Sequence, residues 1–264
     1  MDSSALLRLG IFFGLWLLLA LAEARWPRHV QRREARRRWS ANFGLSVIDA
    51  VLLRLLLPWL AVDAAFWAQA HDFGALNASA APLWLRFGIA FVVLDLVIYW
   101  QHRLMHLWHP LWRLHRVHHS DLALDASSGV RFHPGEILLS MGIKIGAVLL
   151  LGAPPAAVLV FAIVLNSFAL FTHANLALPA RLDRVMRWVF VTPDMHRIHH
   201  SIVRAEHDSN FGFHVSWWDR LFASYLAEPA QPQRTLPLGL DQFRTARDQR
   251  LDALLVQPFR SDET

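Results

Sequence analysis

Histidine is the residue type whose number and spacing in this sequence point to chemistry. Fifteen of the 264 residues are histidines and none is cysteine, so a bound metal would need imidazole or oxygen ligands. Two segments, HRVHHS and HRIHHS, repeat one spacing of three histidines, and HRLMH precedes the first of them. On a helix, positions i, i+3 and i+4 share a face, so each segment would present a row of imidazoles. The clustered histidines are His102, His106, His115, His118, His119, His196, His199 and His200.

Metal binding explains these clusters better than a structural role does. Three protonated imidazoles on one helical turn would repel one another, and three neutral ones beside a bilayer would need partners for their ring nitrogens. Neutral imidazole binds zinc, copper, iron and nickel. Because four ligands fill a tetrahedral zinc site, eight to ten imidazoles indicate two metal ions with four or five nitrogens each. His133 in RFHPGE and His173 in FTHAN stand near the ends of apolar segments and are further candidates.

The remaining histidines lack this spacing and are expected to be surface residues or hydrogen-bonded core residues. They are His29, His71, His109, His207 and His214.

Several other cofactor chemistries need motifs that this sequence lacks. Neither the HExxH of zinc proteases nor the Glu-x-x-His of soluble di-iron bundles occurs. The lack of cysteine excludes disulfides, iron–sulfur clusters and covalently attached c-type haem. There is no G-x-G-x-x-G, and the HPGE segment has no small soluble domain around it that would make it a haem loop. We therefore expect neither haem nor flavin in this chain.

Five apolar runs must position the histidine clusters. The sequence is 55% hydrophobic, which exceeds the share in ordinary soluble domains. The predicted fold is all-α: a multi-pass membrane bundle of about four or five spans with a histidine-rich helical cap on the cytoplasmic side. Two runs of about 16 residues meet at Pro154-Pro155 and form a hairpin, either fully spanning or partly inserted. The runs cover residues 5–24, 43–67, 82–100, 137–152 and 156–171.

Arginines predict how these spans are oriented. The segment RWPRHVQRREARRRW after the first run holds seven arginines and one acid, so the positive-inside rule keeps it in the cytoplasm. With this segment inside, counting the membrane crossings that follow places every histidine cluster on the cytoplasmic face as well. The first run has its arginines behind it rather than before it, so it is interpreted as a retained span and not a signal peptide. Basic residues beside apolar spans favour anionic lipids over nucleic acid as their partner, and the expected membrane is a bacterial inner membrane.

Taken together, these motifs resemble the fatty acid hydroxylase / sterol desaturase superfamily. The likeness runs from about Leu94 to Tyr225 and includes DLVIYW, HRLMH, HRVHHS, RFHPGE, HRIHHS and DSNFGFHVSWWDRLFASY. It implies a helical membrane protein whose cytoplasmic cap holds two iron ions that activate O2; zinc can occupy the same imidazoles. Members hydroxylate or desaturate fatty acyl chains, sterols, carotenoids and related lipids, or cleave ether lipids.

The resemblance also implies which residues bind the metals. The ligands would be the eight clustered histidines and His173. Some members have another histidine four residues later, where this chain has Ala177, and His133 is the candidate for that vacancy. Metal-bound imidazoles usually donate their second N–H to a carboxylate or carbonyl. Candidates for that orienting role are Asp95, Arg131, Glu136, Asp194 and Asp208.

The expected activity is therefore hydroxylation or desaturation of a fatty acyl, sterol-like or ether lipid with O2. Because the sequence has no motif for a flavin, a haem domain or an iron–sulfur cluster, an external electron donor is implied: a ferredoxin, a b5-like protein or a reduced pterin. Two alternatives stay open, a di-zinc hydrolase or isomerase on the same scaffold and a non-catalytic membrane metal-binding protein. The predicted organisation is residues 1–81 for N-terminal spans and the arginine-rich loop, 82–227 for the di-iron domain, and 228–264 for a polar tail.

Overall fold

The computed structural model describes residues 3–29 and 35–261, and within these ranges the chain forms helices and loops with no β-sheet. The all-α prediction is confirmed. Short 3-10 helices occur at Ala126–Val130 and Gln257–Phe259. The α-helices are α1 (Ser3–Arg25), α2 (Ala35–Leu56), α3 (Ala61–Ala70), α4 (Leu83–Leu107), α5 (His109–His119), α6 (Pro134–Leu151), α7 (Pro155–His173), α8 (Ala180–Met186), α9 (Pro193–His199), α10 (Arg204–His207), α11 (Trp217–Leu221) and α12 (Leu251–Val256).

Within the described residues, five helical segments are long and apolar enough to cross a membrane, which confirms the expected four or five spans. Helices α6 and α7 have 18 and 19 residues, so each reaches about 27 Å, close to the thickness of the hydrocarbon core. The two are longer than the 16-residue arms expected from the apolar runs. The five segments are Leu6–Arg25, Arg38–Ala70, Leu83–Leu107, Pro134–Leu151 and Pro155–His173.

The second apolar run is not one continuous helix. Helix α2 ends at Leu56 and α3 begins at Ala61. Pro58 lies between them, and a proline removes a backbone donor and clashes with the preceding turn. The run therefore folds as two helices separated by a bend.

Helices α3, α4, α6 and α7 share a core in which small residues allow the backbones to approach closely. At one end of this core, the loop after α3 joins the turn between α6 and α7. Ala75 N–H donates to the Leu150 carbonyl (3.1 Å), and Leu76 N–H donates to the Leu151 carbonyl (2.8 Å). The buried alanines of the core are Ala64, Ala65, Ala90, Ala153 and Ala157.

The opposite end of the helices carries the cap, which we define as residues 109–133 and 174–261. Its 3-10 helix at Ala126–Val130 packs against α7 so closely that a Cβ at Gly129 would lie 2.3 Å from the Ala169 carbonyl oxygen. Helix α12 packs on α2, where Leu254 is buried among Ala41 and Leu45. These contacts place the last part of the chain against the start of α2.

Candidate metal centre

The structure brings nine of the ten predicted ligands together as two groups of buried imidazoles. They come from four helices: the end of α4, α5, the end of α7, and α9 with the residue after it. Within each group, one nitrogen of every ring lies within 4.8 Å of the others. The first group contains His102, His106, His115, His119 and His199, and the second contains His118, His173, His196 and His200. This division matches the expected four or five nitrogens for each metal.

Each repeated triplet is shared between the two groups. On α5, His115 and His119 belong to the first group and His118 to the second. On α9 the division is reversed, because His199 joins the first group and His196 and His200 join the second. Both helices therefore hold parts of both groups, and their relative placement sets the separation between them.

Local sequence explains where these helices begin. Thr192 precedes α9, and its hydroxyl accepts a hydrogen bond from the Met195 N–H (3.3 Å). Pro193 follows as the first residue of α9, where the missing N–H costs nothing. Helix α5 has Pro110 in its first turn, so the break after α4 also starts a new helix.

Most of the nine rings use Nδ1 for a hydrogen bond that points away from the group. A carbonyl oxygen can only accept, so an Nδ1 that contacts one must carry the ring's proton. Six Nδ1 atoms have such acceptors: His102 with Phe211 O (2.7 Å), His106 with Asp208 Oδ1 (3.3 Å), His115 with Glu136 Oε1 (2.8 Å), His118 with Arg131 O (3.1 Å), His173 with Ala169 O (2.6 Å) and His199 with Ser209 O (2.7 Å). Their Nε2 atoms then keep a free lone pair.

Several of these free lone pairs face another ring nitrogen, as metal ligands do. The Nε2 of His102 lies 3.1 Å from that of His115 and 3.0 Å from that of His199. The Nε2 of His173 lies 3.0 Å from that of His118 and 3.1 Å from that of His196. Lone pairs at this distance repel unless a cation lies among them, so the donor set fits two metal ions.

Buried ring nitrogens without hydrogen-bond partners support the same fit. Nε2 of His106, His119 and His200 has no partner within the described part of the chain. A buried polar atom of this kind costs free energy unless something else satisfies it. A metal ion bound by each group would do so.

Burial also holds these rings in the form that binds metals. Desolvation is the largest cause, and neighbouring imidazoles add to it. Together they lower the pKa of five of the nine rings well below the usual histidine value. A neutral ring offers a lone pair without first losing a proton. These rings are His118, His119, His196, His199 and His200.

The five residues expected to orient the ligands occupy different places. Glu136 and Asp208 accept from His115 and His106 through their carboxylates. The backbone carbonyl of Arg131 accepts from His118 Nδ1. Its guanidinium points elsewhere and donates to Val117 O and Ser120 Oγ, both at 2.9 Å.

Asp95 and Asp194 connect segments rather than touch the two groups. Asp95 accepts from Trp218 Nε1 at 2.7 Å and lies 2.9 Å from His214 Nδ1. Asp194 pairs with Arg28 and so joins α9 to the segment that follows α1.

His133 lies outside both groups, unlike the expectation from the sequence. It precedes Pro134 at the start of α6, and its Nδ1 accepts from Gly135 N–H at 3.0 Å. Its Nε2 lies 3.1 Å from the Leu255 carbonyl, which can only accept. Both ring nitrogens are used in these hydrogen bonds, so no lone pair is left for a metal in this arrangement.

His207 is the residue near the site that sequence reasoning missed. Its ring is stacked on Trp112, with centroids 5.1 Å apart, and lies beside His106 and His119. With His106 and Asp208 it forms a third set of possible ligand atoms within 4.8 Å of one another. Burial lowers its pKa to about 4. The available signal was its position directly before Asp208, since it belongs to no repeated spacing.

A search against protein families matches the model described as "Fatty acid hydroxylase" to residues 87–224, just over half of the chain. The match spans every residue of the two imidazole groups. No solved structure matches the chain.

Curated relatives include lipid-modifying enzymes. The chain is 33% identical over 155 residues to "Ornithine lipid hydroxylase OlsE" of Rhizobium tropici, covering 58% of this chain and 45% of that protein. It is 29% identical over 166 residues to "Alkylglycerol monooxygenase" of Danio rerio, covering 61% and 34%. The human protein of the same name is 30% identical over 146 residues, covering 53% and 30%. The chain thus spans less than half the length of these relatives.

Proposed function

The chain belongs to the fatty acid hydroxylase family, and from this premise we propose that it is a membrane-bound, non-haem di-iron oxygenase of lipids. It would use O2 and two electrons from an external donor to hydroxylate a lipid, with desaturation as the related outcome. The observation that carries the proposal is the pair of buried imidazole groups, five and four rings, at the end of membrane-spanning helices.

Two irons bound by these groups would supply the reduction of O2 and the removal of hydrogen from an unactivated C–H bond, which no side chain performs. For hydroxylation, C–H, O2, two electrons and two protons give C–OH and water. The chain's own contribution is to hold the ligand nitrogens. Glu136 and Asp208 keep protons on Nδ1 of His115 and His106, which leaves Nε2 available. Burial keeps bulk water away from both groups.

The position of the groups supports a substrate that comes from the bilayer. His102, His106 and His173 stand at the ends of α4 and α7, both long enough to span a membrane. Large apolar side chains near the end of α4 are exposed, including Leu107 and Trp108. Tryptophan is enriched where hydrocarbon meets the headgroups. A lipid chain lying along these helices would reach the metals without leaving the membrane.

The relatives' names favour a lipid with a polar headgroup and favour hydroxylation. One is an ornithine lipid hydroxylase and two are alkylglycerol monooxygenases. We further propose that the centre lies on the cytoplasmic side of a bacterial inner membrane, because the arginine-rich segment after α1 is expected there. Electrons would then come from a cytoplasmic ferredoxin, a b5-like protein or a reduced pterin.

Isotope labelling of lipids tests the proposal. A bacterial host is grown under 18O2 with and without the gene, and its lipids are compared by mass spectrometry. We expect a new lipid carrying one 18O atom, and we expect His199→Ala to abolish it. His71→Ala is the matched control, because His71 lies in the loop after α3, at the far end from the groups.

The same comparison, repeated in H2 18O under unlabelled O2, separates the alternatives. A new product whose oxygen comes from H2 18O rather than from 18O2 would indicate a di-zinc hydrolase, because the same imidazoles bind zinc. An unchanged lipid profile, with metal bound and a suitable reductant present, would contradict catalysis by this chain and favour a metal-binding role.

A further inference from the structure

A cavity of about 1600 Å³ lies between the cap and the start of α2, and none of the nine grouped imidazoles lines it. Its walls come from the start of α2, the loop after α5, α9 and the last part of the chain. Among the described residues that line it, one is acidic, Asp252. The arginines that line it are Arg38, Arg197, Arg244, Arg247 and Arg250.

Arg197 is the buried member of this set. It is 1% exposed, its Nε has no partner among the described residues, and its Nη2 reaches only Asn175 Oδ1 at 3.5 Å. The nearest acid on the same helix, Asp194, is already paired with Arg28. Asp194 and Glu23 attract this charge at longer range, but neither forms a hydrogen bond with it, and a buried charge without a directly bound counterion is costly.

Two further arginines of the cavity also lack a carboxylate partner in the described ranges. Arg244 donates to the backbone carbonyls of Leu238 (3.1 Å) and Leu240 (2.7 Å). The side chain of Arg247 is exposed and makes no hydrogen bond or ion pair with the described residues; only its backbone carbonyl accepts, from Arg250 N–H at 3.1 Å.

The other two arginines are paired. Arg38 is held by Asp121 and Asp125, and Arg250 by Asp252. The cavity therefore carries an excess of positive charge that the surrounding chain does not neutralise.

We propose that this cavity binds an organic molecule bearing a phosphate-type oxyanion. The guanidinium fork matches two oxygens of a phosphate, which makes arginine well suited to this ligand. The volume of the cavity exceeds what a simple ion needs and also exceeds the roughly 300–1000 Å³ typical of small-molecule sites. It therefore has room for an organic molecule attached to the anionic group. Leucines on its wall, Leu124, Leu236 and Leu238, would contact the apolar part of the ligand. Two sources share this chemistry: a soluble organophosphate and the headgroup of an anionic phospholipid.

The site would be linked to the imidazole groups through α9. Arg197 follows His196 directly and precedes His199 on this helix. An anion bound at Arg197 would neutralise a buried charge within the helix that holds ligands of both groups. Binding should therefore raise the melting temperature of the protein, with or without metal.

Titration with inorganic pyrophosphate tests the proposal on the full chain in nanodiscs of neutral phosphatidylcholine. We expect saturable binding by calorimetry, weakened about tenfold or more, equivalent to about 1.4 kcal/mol, by Arg244→Gln with Arg247→Gln. Arg181→Gln with Arg184→Gln is the matched control, because both arginines are exposed on α8, outside the cavity, and the change in net charge is equal. Arg247→Gln alone serves as a second variant, since this side chain holds no contact that folding requires.

A second arm identifies the source of the anion. The titration is repeated in nanodiscs containing phosphatidylglycerol. If this lipid raises the melting temperature and competes with pyrophosphate, a headgroup is the ligand; if pyrophosphate still binds, the ligand is soluble, and either result supports the site. Absence of both effects, or equal weakening by the cavity and α8 variants, would overturn the proposal. None of these measurements depends on catalytic activity, so they succeed or fail independently of the proposed oxygenase.

Discussion

Most imidazoles in the two groups use their ring nitrogens for separate tasks. Nδ1 of His102, His173 and His199 donates to a backbone carbonyl, which leaves Nε2 facing the group. His106 and His115 do the same through carboxylates. These outer acceptors select the tautomer, so the surroundings of the rings matter as much as the rings themselves.

Glu136 offers a direct test of this arrangement. Its Oε1 accepts from His115 Nδ1 at 2.8 Å, and both side chains are buried. We expect Glu136→Ala to weaken metal binding by about 10–100-fold, because His115 loses the acceptor that orients it. Glu136→Gln should recover much of the affinity, since its amide oxygen can still accept.

Competition with a chelator measures these affinities, and the melting temperature of the metal-free protein reports any loss of fold. Glu228→Ala is the control, because Glu228 is exposed in the cap. An unchanged affinity in Glu136→Ala would remove Glu136 from the site.

At the level of elements, the metal groups depend on how closely a few segments pack. Helices α5 and α9 each contribute to both groups. Helix α7 brings His173 to the second group and is packed along the 3-10 helix at Ala126–Val130. Small changes in this packing would move His173 relative to α5 and α9.

Gly129 is the position where that packing is most restrictive. A Cβ there would lie 2.3 Å from the carbonyl oxygen of Ala169, the same atom that accepts from His173 Nδ1. We expect Gly129→Ala to destabilise the protein by about 1–3 kcal/mol and to lower its metal content. Gly142→Ala on α6 is the matched control, because nothing lies within 4 Å of its added Cβ.

Thermal unfolding in detergent and metal analysis of the purified variants would measure both effects. If the two alanine variants melt at the same temperature and bind equal metal, the packing of the 3-10 helix on α7 is not as tight as described.

On the scale of the whole molecule, the two ends of the helical core have different chemistry. One end holds the buried imidazoles and the cap. The other end is closed by backbone hydrogen bonds between the loop after α3 and the turn between α6 and α7. The proposed lipid oxygenase would take its substrate from the bilayer and its electrons from the aqueous phase, and both would reach the end that holds the imidazoles.

Single-cysteine labelling tests which side of the membrane each end faces. Because the sequence has no native cysteine, each variant carries one reactive thiol. We expect a membrane-impermeant maleimide to label Ser40→Cys and Ala205→Cys only from the cytoplasmic side. Ala80→Cys, in the loop before α4, should be labelled only from the opposite side. All three positions are exposed. Labelling of Ala205 and Ala80 from the same side would contradict the topology.

The sequence by itself determined the class of the protein and its family. The apolar runs and the arginine-rich segment predicted a helical membrane protein, because length and composition are local properties. The repeated histidine spacing indicated metal binding, since residues three and four apart share a helix face without help from the rest of the fold. The boundaries were less accurate, as the bend at Pro58 shows.

Only the tertiary structure decided how the histidines are divided and which ones take part. The second group joins His118 to His173 and His196, which are 55 and 78 positions away along the chain. Tertiary packing also decided the positions of two other histidines. His133 faces α12 instead of the groups, and His207 stacks on Trp112 beside them. Spacing on one helix predicts which side chains share a face, but the partner that a face meets depends on the packing of distant segments.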